Sequence, residues 1–132
     1  MRKLDTQQFL ESVDMRENKD FEGMAKRLQD PTTLKLLHGS IGMCTEAGEF
    51  QDALKKHIIY GKEIDKVNLI EEIGDQLWYV GVVLNALGSS FEEAMSINNE
   101  KLAARYGDVF SEDAALNRNL DKEREILEGD DA

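Results

Sequence analysis

Four acidic residues form the part of this sequence best suited to chemistry. Glu46 and Glu49 stand three residues apart, as do Glu72 and Asp75, and on a helix two residues at that spacing point to the same side. Carboxylate oxygens are preferred ligands of hard cations such as Mg²⁺ and Mn²⁺. If two helices carrying the pairs pack antiparallel, the four acids can meet and bind a divalent metal.

The acid spacing alone is weak evidence. The chain has 27 Asp and Glu among 132 residues, so chance would give about five acid pairs at a spacing of three. Context adds weight, because Glu72 and Asp75 alternate with Ile70, Ile73 and Leu77, and an unpaired charge in an apolar helix is costly. A metal site and a solvated acidic stripe both stay open on these grounds.

A di-iron bundle is the rival metal site. Its helices carry a Glu-x-x-His motif, but neither His38 nor His57 lies three residues after a Glu. The sequence therefore disfavours this alternative.

The positions of apolar residues and caps predict the elements that carry these acids. Period-two alternation is absent, so we expect an all-α fold, an antiparallel bundle of about four main helices. Asp30-Pro31 predicts the start of a long helix ending near His57, with a loop over 57–64. The other predicted helices cover 5–16, about 21–28, from Asp65 to Gly88, from Ser90 to Tyr106, and one or two short stretches within 111–128.

The length favours one domain over residues 1–132, with a core at about 31–107 and a C-terminal strap at 108–132. The predicted helix after Asp65 is apolar around nearly its whole circumference in its second half. Such a helix must be buried all round, so we expect a homo-oligomer. Five glycines lie within the predicted helices and indicate close helix packing: Gly39, Gly42, Gly48, Gly74 and Gly81.

Charge and apolar patterning limit the partners. A net charge of −11 would repel a nucleic acid polymer, although bound cations could still admit a small anion. No apolar stretch suggests a signal peptide or a membrane span, so we expect a cytoplasmic protein with no membrane partner. Cys44, the only cysteine, is expected to be buried.

The segments Thr45-Glu-Ala-Gly-Glu49 and Glu72-Ile-Gly-Asp75 resemble the Glu-x-x-Glu and Glu-x-x-Asp signature of the MazG-like all-α nucleoside triphosphate pyrophosphohydrolases. This resemblance implies a homodimeric or homotetrameric enzyme that binds Mg²⁺, or Mn²⁺, and cleaves its substrate between the α and β phosphates. It also assigns the four acids as metal ligands. Glu71 departs from the signature and is interpreted as an outer or solvated residue, while Glu49 is the candidate general base.

Six further residues are candidates for binding the substrate. Asn98, Lys101 and Arg105 share one helical face and could contact phosphates or sugar, or form an exposed polar face. Tyr79 could stack its ring on a base, and His38 could reach the base or a metal-bound water. Lys56, at the end of a predicted helix, could contact a phosphate.

These features together predict a Mg²⁺-dependent hydrolase of (d)NTPs, producing monophosphate and pyrophosphate for nucleotide-pool housekeeping. Enzymes specific for dUTP, dCTP or alarmones are alternatives. A non-catalytic helical oligomer that binds nucleotide or metal is another. Nothing in the sequence determines the base.

Overall fold

A computed structural model describes residues 5–107 and 109–129, and within them every regular element is a helix. The all-α prediction is confirmed. The described residues form seven helices, three of them long, so the predicted number of about four main helices is not confirmed. Their bounds are α1 Thr6–Arg16, α2 Phe21–Arg27, α3 Pro31–Tyr60, α4 Lys66–Leu87, α5 Phe91–Tyr106, α6 Glu112–Leu116 and α7 Leu120–Glu128.

The chain divides into two compact units, Met1–Leu34 and Lys35–Ala132. The first unit contains α1 and α2, whose amino termini are capped by aspartates. The Asp5 carboxylate accepts a hydrogen bond from the backbone N–H of Gln8, and Asp20 does the same for Gly23. Each cap satisfies a backbone donor that the helix cannot.

Helix α3 begins as the sequence predicts but ends later. The Asp30 carboxylate accepts hydrogen bonds from the Thr33 backbone N–H and hydroxyl at 2.7 and 2.9 Å, and these bonds lower its pKa. The predicted loop at 57–64 is wrong for its first four residues, because α3 continues to Tyr60. Gly61, with φ of +67°, takes the left-handed conformation that ends the helix, whereas the preceding isoleucines cost a helix only tenths of a kcal/mol.

The caps of α4 and α5 confirm their predicted bounds. Asp65 accepts hydrogen bonds from two backbone N–H groups in the first turn of α4, and Gly88 ends the helix in the left-handed region. The Ser90 hydroxyl accepts from the backbone N–H of Glu93 at 3.1 Å. The Glu93 carboxylate accepts a hydrogen bond from the Ser89 hydroxyl.

Two buried glycines mark a close approach of α3 and α4. A methyl group on Gly39 would lie 2.5 Å from Val83 Cγ2, and one on Gly42 would lie 2.2 Å from the Tyr79 ring. The predicted close packing is therefore confirmed at these positions. It is wrong for Gly48 and Gly74, where an added methyl would meet no atom within 4 Å among the described residues, because their side of each helix faces open space.

The C-terminal helices pack against α5 around one buried carboxylate. Glu123 on α7 is 5% exposed and accepts hydrogen bonds from Arg105 Nε at 2.8 Å and from Arg118 Nη2 at 2.7 Å. The bonds from the two guanidinium groups lower the pKa of Glu123 to about 2. One or two short helices were expected in this tail, and two are present. Residue 108 and residues 130–132 of the predicted strap lie outside the described residues.

No hydrophobic side chain of the described residues is buried within this single chain. Helix α4 carries a stripe of exposed residues, namely Val67, Ile70, Leu77 and Trp78, with exposed fractions of 78, 69, 50 and 62%. Cys44 is exposed as well, so its predicted burial is wrong for the lone chain, where its side of α3 is left uncovered. The described helices include none that is both long and apolar enough to cross a bilayer.

Candidate metal and nucleotide site

Three of the four predicted acids come together between α3 and α4. Glu46, Glu72 and Asp75 each offer a carboxylate oxygen, and these oxygens lie within 4.8 Å of one another. Oxygens bound to one Mg²⁺ at its usual distance can be at most about 4.2 Å apart. The oxygens would have to move closer together to share one ion, and their all-oxygen character fits Mg²⁺ or Mn²⁺.

The close approach of the two helices explains why these acids meet. Glu46 lies about one turn after Gly42 on α3, and Asp75 lies one turn before Tyr79 on α4. Gly42 and Tyr79 are in contact, and an α-helix returns to the same side after three or four residues. The contact between glycine and tyrosine therefore sets the register that places the acids of α3 against those of α4.

Glu72 is the most buried of the clustered acids, at 7% exposure. The Asn68 amide donates a hydrogen bond to Glu72 Oε1 at 2.9 Å. Gln76 donates instead to the Glu72 backbone carbonyl. None of the ion pairs found among the described residues involves Glu46, Glu72 or Asp75, so no described lysine, arginine or histidine is in direct contact with this negative charge.

The fourth predicted acid, Glu49, lies beside the cluster. It is exposed and lines a cavity of about 450 Å³ that also touches Glu72. The other residues around this cavity supply amide, hydroxyl, acidic and basic groups and small side chains: Thr45, Gly48, Asp52, Ala53, Lys56 and Asn68. The acids thus border a space that could hold a polar ligand.

Lys56 provides a positive charge at the same cavity. Its Nζ lies 2.7 Å from the Asp52 carboxylate, which also pairs with Lys55 at 2.8 Å. Hydrogen bonds from the two lysines lower the pKa of Asp52 to about 2. The pKa of Lys56 is raised, mainly by its bond to Asp52 and to a smaller extent by Glu49. Lys56 therefore remains a cation beside the acids.

The two aromatic candidates lie together next to the helix crossing. The ring centroids of His38 and Tyr79 are 5.8 Å apart in an edge-to-face arrangement. His38 is exposed and Tyr79 is half-buried. Trp78 also packs edge-to-face against Tyr79, with 5.0 Å between the two ring centroids.

The three candidates on α5 have different surroundings. Asn98 is exposed in a separate shallow hollow, and Lys101 is half-buried. Arg105 forms an ion pair with Glu123, so its Nε and Nη2 groups are engaged by the C-terminal tail. The predicted roles of all three in substrate binding stay predictions.

Sequence reasoning assigned no role to three residues of these clusters. Asp52 follows Glu49 by three residues and Asn68 precedes Glu72 by four, so helical spacing could have indicated both. Glu123 is eighteen residues from Arg105. No local pattern signals that pair, because it depends on how the tail folds back.

The comparisons with known proteins agree with this site. The family model for the MazG nucleotide pyrophosphohydrolase domain matches residues 39–110, which is more than half of the chain and contains all four predicted acids. No curated protein and no solved structure matches significantly. The resemblance seen in the motifs is confirmed: the chain belongs to the MazG nucleotide pyrophosphohydrolase family.

Proposed function

We propose that this protein hydrolyses nucleoside triphosphates to monophosphates and pyrophosphate with Mg²⁺, cleaving between the α and β phosphates. The observation that carries the proposal is the cluster of Glu46, Glu72 and Asp75, whose oxygens lie within 4.8 Å of one another and form no ion pair with any described residue. Family membership supports the reaction class. A role in nucleotide-pool housekeeping, acting on deoxynucleotides or noncanonical nucleotides, accords with that chemistry.

The acids would hold the metal, and the cavity beside them would receive the phosphate chain. Bound Mg²⁺ would neutralise the phosphates and make a coordinated water more acidic. Glu49 borders the same cavity without belonging to the three-oxygen cluster, which suits a carboxylate that accepts a proton from the attacking water. Lys56 borders it too and would contact a phosphate as a point charge.

The remaining candidates would act around this centre. Tyr79 would stack on the base, and His38, in edge contact with it, would approach the base or a metal-bound water. Lys101 and Asn98 would reach the phosphates or sugar from α5. Arg105 is the weakest of this set, because reaching a phosphate would require its release from Glu123.

The reaction can be tested by its products. The protein should be incubated with each NTP, dNTP and modified nucleotide in Mg²⁺ or Mn²⁺ and followed by phosphorus NMR. Monophosphate and pyrophosphate should appear in equal amounts and should be absent with a chelator. Release of orthophosphate alone would overturn the proposed cleavage position, and the same screen would identify the base, including a preference for dUTP, dCTP or alarmones.

The role of Glu49 has its own test. Glu49→Gln keeps the size of the side chain but removes its ability to take a proton, so turnover should be lost while nucleotide binding weakens less. Calorimetry with a non-hydrolysable triphosphate measures that binding. Unchanged turnover would exclude Glu49 as the base.

A non-catalytic metal or nucleotide sensor is the second candidate function. Its supporting observation is the openness of the site, since Glu49 and Asp75 are both exposed, while hydrolases commonly exclude water during catalysis. Metal binding by calorimetry without turnover of any nucleotide in the screen would favour it.

We further propose that the functional protein is a homodimer or homotetramer joined through the exposed stripe of α4. A chain that buries no hydrophobic side chain among its described residues lacks the main source of folding energy, and a second copy of the stripe could supply it. Light scattering should give at least twice the 14.9 kDa chain mass. Ile70→Arg should reduce the mass to that of one chain, whereas Leu116→Arg, at an 83% exposed residue of α6, should not; the opposite pattern would place the interface elsewhere.

A further inference from the structure

Asn68 connects the cap of α4 to the buried acid of the cluster. Its backbone N–H donates to Asp65 Oδ1 at 3.1 Å, and its side-chain amide donates to Glu72 Oε1 at 2.9 Å. A carboxylate only accepts hydrogen bonds, so the amide nitrogen must face Glu72. The cap therefore fixes the backbone from which this amide reaches one turn along the helix.

This hydrogen bond meets a specific need of Glu72. The carboxylate is 7% exposed, and a buried charge without a partner is strongly disfavoured. Asn68 supplies a donor without supplying a positive charge, so the negative charge of Glu72 remains available to a cation. An ionised carboxylate has about four lone-pair sites, and this bond occupies one of them.

A lysine or arginine at position 68 would have a different effect. It would neutralise Glu72, as the two arginines neutralise Glu123, and it would compete directly with a metal ion. A neutral amide fixes the orientation of the carboxylate and leaves its charge in place. Residues hydrogen-bonded to metal ligands orient those ligands in this way and commonly contribute 10–100-fold to metal affinity.

We propose that Asn68 is a positioning residue of the metal site: it holds Glu72 toward Glu46 and Asp75 before the metal arrives. This inference rests on the metal site of the proposed function, but it does not depend on which nucleotide is hydrolysed. Asn68 also lines the cavity beside Glu49, so this residue borders the proposed phosphate space as well as contacting a metal ligand.

The test compares two asparagines on the same helix. Asn68→Ala removes the donor to Glu72, and Asn85→Ala makes the same chemical change at an exposed position near the other end of α4. Mg²⁺ and Mn²⁺ alone are titrated into each full-length protein by calorimetry, without nucleotide. Asn68→Ala should weaken metal affinity about 10–100-fold, and Asn85→Ala should match the wild type.

Turnover gives a second readout that a merely structural role would not move. In Asn68→Ala the Mg²⁺ concentration for half-maximal rate should rise by the same factor as the dissociation constant, and kcat should return toward the wild-type value at saturating Mg²⁺. If Asn68→Ala does not fold, Asn68→Ser serves in its place, because a serine hydroxyl is too short to reach one turn along α4. Asn68→Gln, which keeps an amide donor, should restore part of the affinity.

Each outcome decides the proposal. Equal metal affinity in Asn68→Ala and the wild type overturns it, as does an equal loss in Asn85→Ala or a wild type that binds neither metal. If the wild type binds Mg²⁺ but hydrolyses no nucleotide, the proposed function fails, while the Asn68 inference is still decided by the metal titration.

Discussion

Glu72 and Glu123 are the two buried charged residues of the described chain, with exposed fractions of 7 and 5%, and their surroundings are opposite. Glu123 is held by two guanidinium groups, those of Arg105 and Arg118. Glu72 receives a hydrogen bond from the neutral amide of Asn68 and lies beside two other acids.

The difference separates a carboxylate that is paired within the chain from one that we propose binds a metal. Removing a carboxylate from water costs several kcal/mol unless partners compensate. The protein provides both partners for Glu123 from its own sequence, so this group joins the tail to α5. It provides no ion-pair partner for Glu72 among the described residues, which supports our proposal that a divalent metal binds there.

The largest effect is expected on turnover when Glu72 is changed. Glu72→Gln should lower turnover at least about a thousand-fold, because several kcal/mol of transition-state stabilisation through the metal are lost. Its melting temperature should not fall, since the change also removes repulsion from the neighbouring acids. The matched control is Glu71→Gln, an exposed neighbour that should keep near-wild-type rates; equal losses in both variants would refute the assignment of Glu72.

Glu123→Gln should show the reverse pattern. The substitution leaves two guanidinium groups without their counter-charge, so the melting temperature should fall by several degrees. Turnover per folded molecule should stay within a few-fold of the wild type at a temperature where both are folded. A large loss of turnover with unchanged melting would instead place the tail in the active site.

Acid titration sharpens the contrast further. The folded pKa of Glu123 is lowered from 4.5 to about 2, so its contribution to stability is complete above about pH 4.5 and is lost as the pH falls toward 2. The stability difference between the wild type and Glu123→Gln, measured by urea unfolding, should therefore be constant from pH 5.5 to 7 and shrink below 4.5. A difference that stays constant down to pH 2 would contradict the ion pair.

The smallest effect concerns the space beside Glu72. Gly48 lines the cavity, and a methyl group there meets no described atom within 4 Å. Gly48→Ala should stabilise the protein by about 0.5–1 kcal/mol, because alanine favours a helix more than glycine does. If the phosphate chain occupies this cavity, KM for the nucleotide should rise while the melting temperature rises too; an unchanged KM would place the phosphates elsewhere.

Local signals made much of this molecule predictable. Asp30-Pro31, Asp65, Gly88 and Ser90 determined helix ends through caps and backbone freedom, which depend on neighbouring residues alone. The pairing of Glu46 with Glu72 and Asp75 followed from helical spacing plus an antiparallel contact. The family signature then indicated the reaction class.

Features that depend on distant contacts were beyond the sequence. The Glu123 pair requires the tail to fold back on α5, and nothing local marks Arg105 as its partner. Gly42 and Gly48 look equivalent in the sequence, yet one contacts Tyr79 and the other faces open space. The apolar pattern around Cys44 predicts a core residue, but in the single chain no described element packs against its side of α3 and the residue is exposed.

The position of Trp78 makes the protein its own optical probe. It is the only tryptophan, it belongs to the exposed stripe of α4, and its ring touches Tyr79, which adjoins the acids. An indole in water emits at longer wavelength than one that is buried, so dilution of an assembled protein should shift the emission to the red. The emission wavelength of Trp78 can thereby report subunit association, and its emission intensity can report binding beside the proposed metal ligands.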